Sequence, residues 1–154
     1  MNFLDKNTFS TVIANTPLIS IDLIVRDSED KVLLGKRINK PAQNSWSVPG
    51  GRIYKNEKIN DAFKRITEDE IGVEIDLHSC LFKGIYQHFY DDNVFNDEFS
   101  THYVVLAFEL RLTNTPMTNE QHENYKWFDE NELLENDDVY FYVKDYFDEK
   151  KGIK

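Results

Sequence analysis

Stretches with apolar residues at helical spacing alternate along this chain with aliphatic, β-branched runs, and the changes between them mark out the elements. Phe9, Val12 and Ile13 stand at helical spacing between Asn7 and Asn15, with Pro17 closing the segment. Leu18 to Val25 is aliphatic and β-branched with Asp22 as its single charged residue, which predicts a strand. A turn over Asp27 to Asp30 returns the chain along Lys31 to Arg37 as the second arm of a hairpin, and Asn39 to Ser45, polar and carrying Pro41, is a loop. Trp46 to Gly51 is a strand end that runs into a flexible turn at Pro49-Gly50-Gly51. From Glu57 to Ile71 the period becomes helical: Ile59, Ala62, Phe63 and Ile66 fall on one face, and Gly72 is a natural stop. Leu81 to Tyr90 and His102 to Leu112 are long strands joined by an acidic loop, Asp91 to Ser100, in which Asp91-Asp92-Asn93 is expected to be a solvated turn. A short strand over Asn124 to Phe128 precedes a helix over Asp129 to Glu135, opened by a capping aspartate, and a last helix over Tyr140 to Lys150. Mixed in this order, strands and helices predict a sheet covered by helices, α/β or α+β.

The apolar stripe of the long helix, continued by four residues, lands on Glu70. A bare carboxylate is costly to bury, so this position is either solvated where the helix frays or held for a purpose. Just upstream, Gly50-Gly51 can bring backbone close to a cation. Asp61, Arg65 and Asp69, spaced at i, i+4 and i+8, would otherwise form a solvated ladder of ion pairs. Asp22 either lines a site or faces outward on a half-buried strand.

Composition narrows the chemistry. A chain of 154 residues with 40% hydrophobic and 30% charged residues is one domain's worth of ordinary globule, here taken as 1–154. Its net charge of -10 argues against a nucleic-acid surface, although a few arginines can still converge on a small anion. The single cysteine, Cys80, fits a reducing, cytoplasmic setting, and neither a secretory leader nor a membrane-length apolar run is expected.

One spacing is specific. Gly51, five residues, Glu57, seven residues, Arg65, and then Glu70 and Gly72-Val73 resemble the box of the Nudix hydrolases, whose pattern is G-x5-E-x7-R-E-U-x-E-E-x-G-U with U aliphatic. The resemblance implies an α/β/α sandwich with a mixed sheet, the box forming a loop-helix-loop, and metal-dependent attack on a nucleoside diphosphate linked to another group. Two departures are informative: Ile66 stands where a glutamate follows the arginine, and Thr67 where an aliphatic residue follows that. Arg65-Ile66-Thr67 is similar to the GDP-mannose mannosyl hydrolase subfamily. So are Thr16-Pro17-Leu18, Leu33-Leu34-Gly35-Lys36-Arg37, Arg52, Gln87-His88-Phe89-Tyr90-Asp91-Asp92-Asn93, Thr101-His102-Tyr103-Val104-Val105-Leu106 and Glu120-Gln121-His122.

The subfamily resemblance implies hydrolysis of GDP-mannose, or GDP-glucose, to GDP and free sugar, by water attacking the anomeric carbon with inversion. The alternative is a pyrophosphohydrolase that cuts the phosphoanhydride. With fewer carboxylates in the box, one Mg2+ is expected, replaceable by Mn2+, held by Glu70, the Gly50 carbonyl and the Gln121 side chain. His122 is the implied general base, since imidazole titrates near neutral pH. Arg37, Arg52 and Arg65, and less directly Lys36, would neutralise the departing diphosphate. Asp22, His88 and Tyr103 would line the sugar side, and Phe3 the nucleotide base. Thr8 departs from the acidic residue that would read a guanine edge, and the stretch Thr113 to Asn119 is about two residues short of the subfamily's. A homodimer with packed N-terminal segments is also implied.

Overall fold

A computed structural model describes residues 3–112 and 122–154, the first three of the second stretch by backbone alone. The elements in chain order are α1 (Lys6–Asn15), β1 (Leu18–Arg26), β2 (Val32–Arg37), β3 (Trp46–Ser47), β4 (Gly50–Arg52), α2 (Ile59–Ile71), β5 (Leu81–Tyr90), β6 (Thr101–Arg111), β7 (His122–Phe128), α3 (Glu130–Glu135) and α4 (Phe141–Asp145). The strands form one mixed sheet of order β3-β2-β1-β6-β5, with β4 paired to β1 and β7 to β2. β1 and β6 run parallel along their shared length, from Leu18 opposite Tyr103 to Arg26 opposite Arg111, while the other pairs are antiparallel.

Strand alternation divides the core between the two faces of this sheet. On one face Ile21, Leu23 and Val25 of β1 meet Ala62, Phe63 and Ile66 of α2, with Phe108 and Leu110 of β6. On the other, Ile24 joins Val105 and Ala107 beneath Leu133, Val139, Val143 and Tyr146 from the C-terminal segment. This is the helix-sheet-helix layering expected of the chain.

The long helix differs from its periodicity in one place. Ile59 is its first residue and is 48% exposed, so the buried stripe starts at Ala62. Helical side chains lean toward the N-terminus, and ahead of Ile59 there is only the exposed turn containing Lys55, Asn56 and Lys58. At the other end Gly72 takes the left-handed conformation, φ 79°, and closes the helix as anticipated.

The last predicted helix is cut short. In place of Tyr140 to Lys150, α4 covers five residues, and the chain continues through successive i→i+3 bonds: Tyr146 N–H to the Val143 carbonyl, Phe147 to Lys144, Asp148 to Asp145 and Lys151 to Asp148. This tighter winding turns Tyr146 inward, where it is 2% exposed. Gly152 then reverses the chain at φ 79°, in a position where a Cβ would lie 2.5 Å from the Tyr86 ring. Ile153 exchanges two backbone hydrogen bonds with Ile85, tying the tail to β5.

Asn93 is a second correction. Asp91 is exposed as a turn residue should be, but Asn93 is fully buried. Its amide donates to the Phe99 carbonyl and to Asn96 Oδ1, and its Oδ1 accepts from the Phe95 and Asn96 amides, so it organises the 91–100 loop from within.

Phe63 is fully buried and meets Phe108 edge-on at 5.1 Å. Phe63→Ala is expected to cost about 3–5 kcal/mol, from lost transfer energy and the cavity left behind. Urea denaturation reads this directly, and a loss below about 1 kcal/mol would contradict the placement of α2 against the sheet.

Candidate active site

Three neighbouring strands send alternate side chains to the α4 side of the sheet, and together they form one wall of a cavity. Ser20 and Asp22 come from β1, His88 and Tyr90 from β5, and Thr101 and Tyr103 from β6, all lining a cavity of about 380 Å³. His88 stands directly opposite Tyr103 in the β5–β6 ladder. The linker between α3 and α4 covers this wall, anchored by the Trp46 amide on the Asp138 carbonyl and the Tyr140 amide on the Trp46 carbonyl. It brings Tyr140 to the cavity, and α4 brings Tyr142. Tyr142 is fixed by accepting from the Phe89 amide and donating to the Phe89 carbonyl, and His88 stacks on it at 4.3 Å between ring centroids.

The opposite side is built from β4 and α2. The Leu23 amide donates to the Pro49 carbonyl, and the Ile53 amide to the Ile19 carbonyl. By antiparallel alternation, Asp22 and Gly50 between them form a non-hydrogen-bonded pair. The Gly50 N–H and C=O therefore face away from β1. The N–H donates to Glu70 Oε1 at 3.2 Å. Glu70 is 5% exposed, so it is a buried residue at the end of the apolar stripe, and fraying does not release it to solvent. Burial pushes its carboxyl up to about 7, against the Gly50 amide and the Arg37 charge, which favour ionisation. The absence of side chains at Gly50 is required here, because a Cβ would lie 2.4 Å from Asp22 Oδ1 and 2.6 Å from the Ile21 carbonyl. Ile66 is 1% exposed and packs beneath Gly51, so the position that departs from the Nudix pattern belongs to the core.

The arginines occupy different settings. Arg65 does not form the ladder with Asp61 and Asp69. Its Nε and Nη2 grip both oxygens of Glu57 at 2.8 and 2.9 Å, its Nη2 also donates to the Arg52 carbonyl, and its guanidinium lies 3.9 Å above the Tyr54 ring. This pairing holds the Glu57 carboxyl below its ordinary range. Arg52 lies between the rings of Phe9 and Tyr54, at 4.7 and 5.0 Å. Arg37 donates through Nε to the Pro41 carbonyl and lines the cavity near Asp22 and Glu70.

Asp22 lies on the cavity wall, where its carboxylate accepts a short hydrogen bond from the Tyr146 hydroxyl. Burial raises its pKa to about 6, opposed by that hydrogen bond and by Arg37. His88 is driven down to about 4 by burial and is neutral at physiological pH. Tyr103 is shifted upward by its burial.

The fold thus brings Asp22, Arg37, Gly50, Arg52, Arg65, Glu70, His88 and Tyr103 to one cavity, with the 72% exposed Phe3 at its rim, edge-on to Tyr54. Lys36 is not among the lining residues. Gln121 lies outside the described residues, as does the His122 side chain, although the His122 backbone opens β7 opposite Arg37. Thr8 is engaged with Asp5, which accepts from both its amide and its hydroxyl. Sequence reasoning missed Tyr90, Tyr140, Tyr142 and Tyr146. The available signal was the density of aromatic residues between Tyr140 and Phe147.

A hard divalent cation fits this donor chemistry. Among the described residues no three His, Cys, Asp or Glu side chains converge. One buried carboxylate beside an outward-facing glycine carbonyl is a sparse oxygen set, which suits an ion completed by phosphate oxygens and water. In the metal-free protein, Glu70 keeps its proton up to about 7 when folded, against an ordinary value of 4.5. The folded state therefore binds the extra proton between those values, and this group's contribution to stability is lost as pH rises through that window. Glu70→Gln should flatten the decline of Tm between about pH 4.5 and pH 7 in chelator-treated protein, with a residual slope of the same sign from Asp22. Thermal melts across that range test this, and an unaltered slope would contradict the burial of an acidic Glu70.

The family model of the NUDIX domain matches residues 16–147. The low-salt glycan biosynthesis protein Agl8 of Haloferax volcanii is 39% identical over 127 residues, covering 82% of this chain and 80% of that protein. A MutT protein from Methanosarcina mazei Go1 superposes with a TM-score of 0.70 at 17% identity, covering 86% of this chain and 92% of that one. A MutT NUDIX hydrolase from Burkholderia pseudomallei superposes with a TM-score of 0.69 at 21% identity, over 88% and 98%. These two structures share the fold. Nudix hydrolases generally work with a divalent metal such as Mg2+, which agrees with the oxygen donors at Glu70 and Gly50. By its family match, its 39% identical relative and its layered mixed sheet, the chain belongs to the Nudix hydrolase family.

Proposed function

We propose that this protein hydrolyses GDP-mannose, with GDP-glucose as a second substrate, to GDP and free sugar by inverting attack of water on the anomeric carbon. The observation that carries this reading is Ile66. Where the Nudix pattern has a glutamate for attack at phosphorus, this chain has a core residue that is 1% exposed, and Glu70 is the buried carboxylate of α2 at the cavity. The glycan-related name of the 39% identical relative supports a nucleotide-sugar substrate.

In this reading Glu70, the Gly50 carbonyl and the Gln121 side chain hold one Mg2+, for which Mn2+ can substitute. When bound, the cation withdraws charge from the diphosphate and improves GDP as a leaving group. Arg37 and Arg52 neutralise the same diphosphate, and Arg65, itself clamped by Glu57, adds its charge to that wall. Lys36 lies outside the cavity lining and adds its charge only from a distance. Asp22, His88 and Tyr103 hold the hexose, Phe3 stacks on the nucleotide base, and His122 removes the proton from the attacking water. The 154 residues act as one domain, and the protein works as a homodimer in the cytoplasm. The exposed Ile19 and Phe89 supply apolar surface for that association.

Hydrolysis of GDP-mannose in 18O-labelled water tests the reaction. Label in mannose, with GDP as the other product and the β-anomer formed first, is the expected result. Label in phosphate, with GMP and mannose 1-phosphate, would instead make the protein a pyrophosphohydrolase. His122→Gln is expected to lower kcat by about 10²–10⁴-fold, the range for a lost general base. A fall of less than about tenfold is incompatible with that role.

A further inference from the structure

The Tyr146 hydroxyl lies behind the cavity wall, bonded to residues that line it, and no role assigned above uses it. Its ring is 2% exposed and packs edge-on against Tyr86 at 4.7 Å, so the phenol has little freedom to move. The oxygen reaches two groups that line the cavity: Asp22 Oδ2, by a short hydrogen bond, and His88 Nε2, at 3.4 Å. A phenol has one proton to give. Burial and the neighbouring Asp22 push the Tyr146 pKa well above its ordinary value, so the proton stays on the phenol. Of its two contacts the one to the Asp22 carboxylate is much the shorter, and a carboxylate oxygen is the acceptor there. The Tyr146 proton therefore goes to Asp22, and the phenolic oxygen presents a lone pair to His88. A neutral imidazole meets a lone pair with its N–H.

We propose that Tyr146 is a positioning residue that sets the direction of hydrogen bonding along the cavity wall. It ties Asp22 by Oδ2, and it fixes His88 as the Nε2–H tautomer with Nδ1 left as an acceptor. The wall then offers acceptors at two preset positions, which suits a ligand that donates from several hydroxyl groups, a polyol or a hexose. This deepens the reading of the cavity as a sugar pocket and rests on that reading for its kinetic arm alone. The order is geometrically enforced. Asp22 Oδ1 is crowded by the Gly50 backbone, to the point that a Cβ there would approach it to 2.4 Å. His88 cannot swing away, since it is stacked on Tyr142 within 14° of parallel.

The first test is the 15N spectrum of the His88 ring in the ligand-free protein, which requires no assumption about substrate. The Nε2–H tautomer is expected in the parent protein, and Tyr146→Phe, which keeps the packed ring, should release it to a mixture with Nδ1–H. Asp22→Ala provides a second variant. With its acceptor gone, the phenol turns its proton to His88 Nε2, and the tautomer should switch to Nδ1–H. A ring spectrum unchanged in both variants would overturn the proposal. The second test measures kcat and KM for GDP-mannose. Tyr146→Phe should lower kcat/KM about tenfold in the parent, the scale of one lost hydrogen bond, and less than about twofold in the Asp22→Ala background. Equal losses in both backgrounds would show that Tyr146 does not act through Asp22 and would overturn the proposal. If the parent protein fails to turn over GDP-mannose, the substrate reading falls, while the ring spectra still decide the role of Tyr146.

Discussion

The burial of Glu70 is the constraint on which the rest of the site depends. A carboxylate at the edge of an apolar helix stripe is tolerable only where something in the wall compensates it, and here the compensation starts with the outward-facing amide of Gly50. That contact requires β4 to pass close to β1 without a side chain at Gly50, and it requires α2 to be seated by Phe63 and Ile66 at one height on the sheet. Core packing and site geometry are thus one arrangement. The helix that buries the apolar residues also delivers the acidic one.

Ile66 and Thr67 show how a family pattern can change locally without loss of the fold. Ile66 replaces a charge with contact against Gly51 and the sheet. Thr67 is fully buried in place of an aliphatic residue; its hydroxyl donates to the Lys64 carbonyl and accepts from the Ile75 amide. It pins the segment after Gly72 instead of filling space. Glu57 and Arg65 retain the loop-to-helix brace, and stacking on Tyr54 holds both Arg52 and Arg65 beside the cavity. A guanidinium spread over an aromatic face keeps its charge while losing conformational freedom, which favours binding of an anion.

The far wall is organised by aromatic residues. Tyr142 is locked to the Phe89 backbone and stacks on His88, while Tyr146 reaches Asp22 from beneath. Such a surface is apolar in its ring faces and polar at its hydroxyl edges.

Much of this was legible in the chain. An aliphatic, β-branched run marked β1, and period 3.6 marked α2, because a helical period reports which positions a single element can bury against one neighbour. The spacing from Gly51 to Gly72 carried the family, since the brace of Glu57 and Arg65 lies within one loop and helix. Glu70 stood out because an acidic residue interrupted an apolar stripe, yet both a solvated and a buried outcome were consistent with the pattern. Burial was decided by the placement of β4, and the pairing of Arg65 with Glu57 over Asp61 or Asp69 by the turn that precedes α2. The shortened α4, the inward turn of Tyr146 and the burial of Asn93 were equally beyond the pattern. Each depends on partners far along the chain or on tight loop closure, Asp22 and His88 for Tyr146 and the Phe99 carbonyl for Asn93. Local sequence determines which conformations are cheap, whereas the packing of one segment against another decides which polar groups have partners.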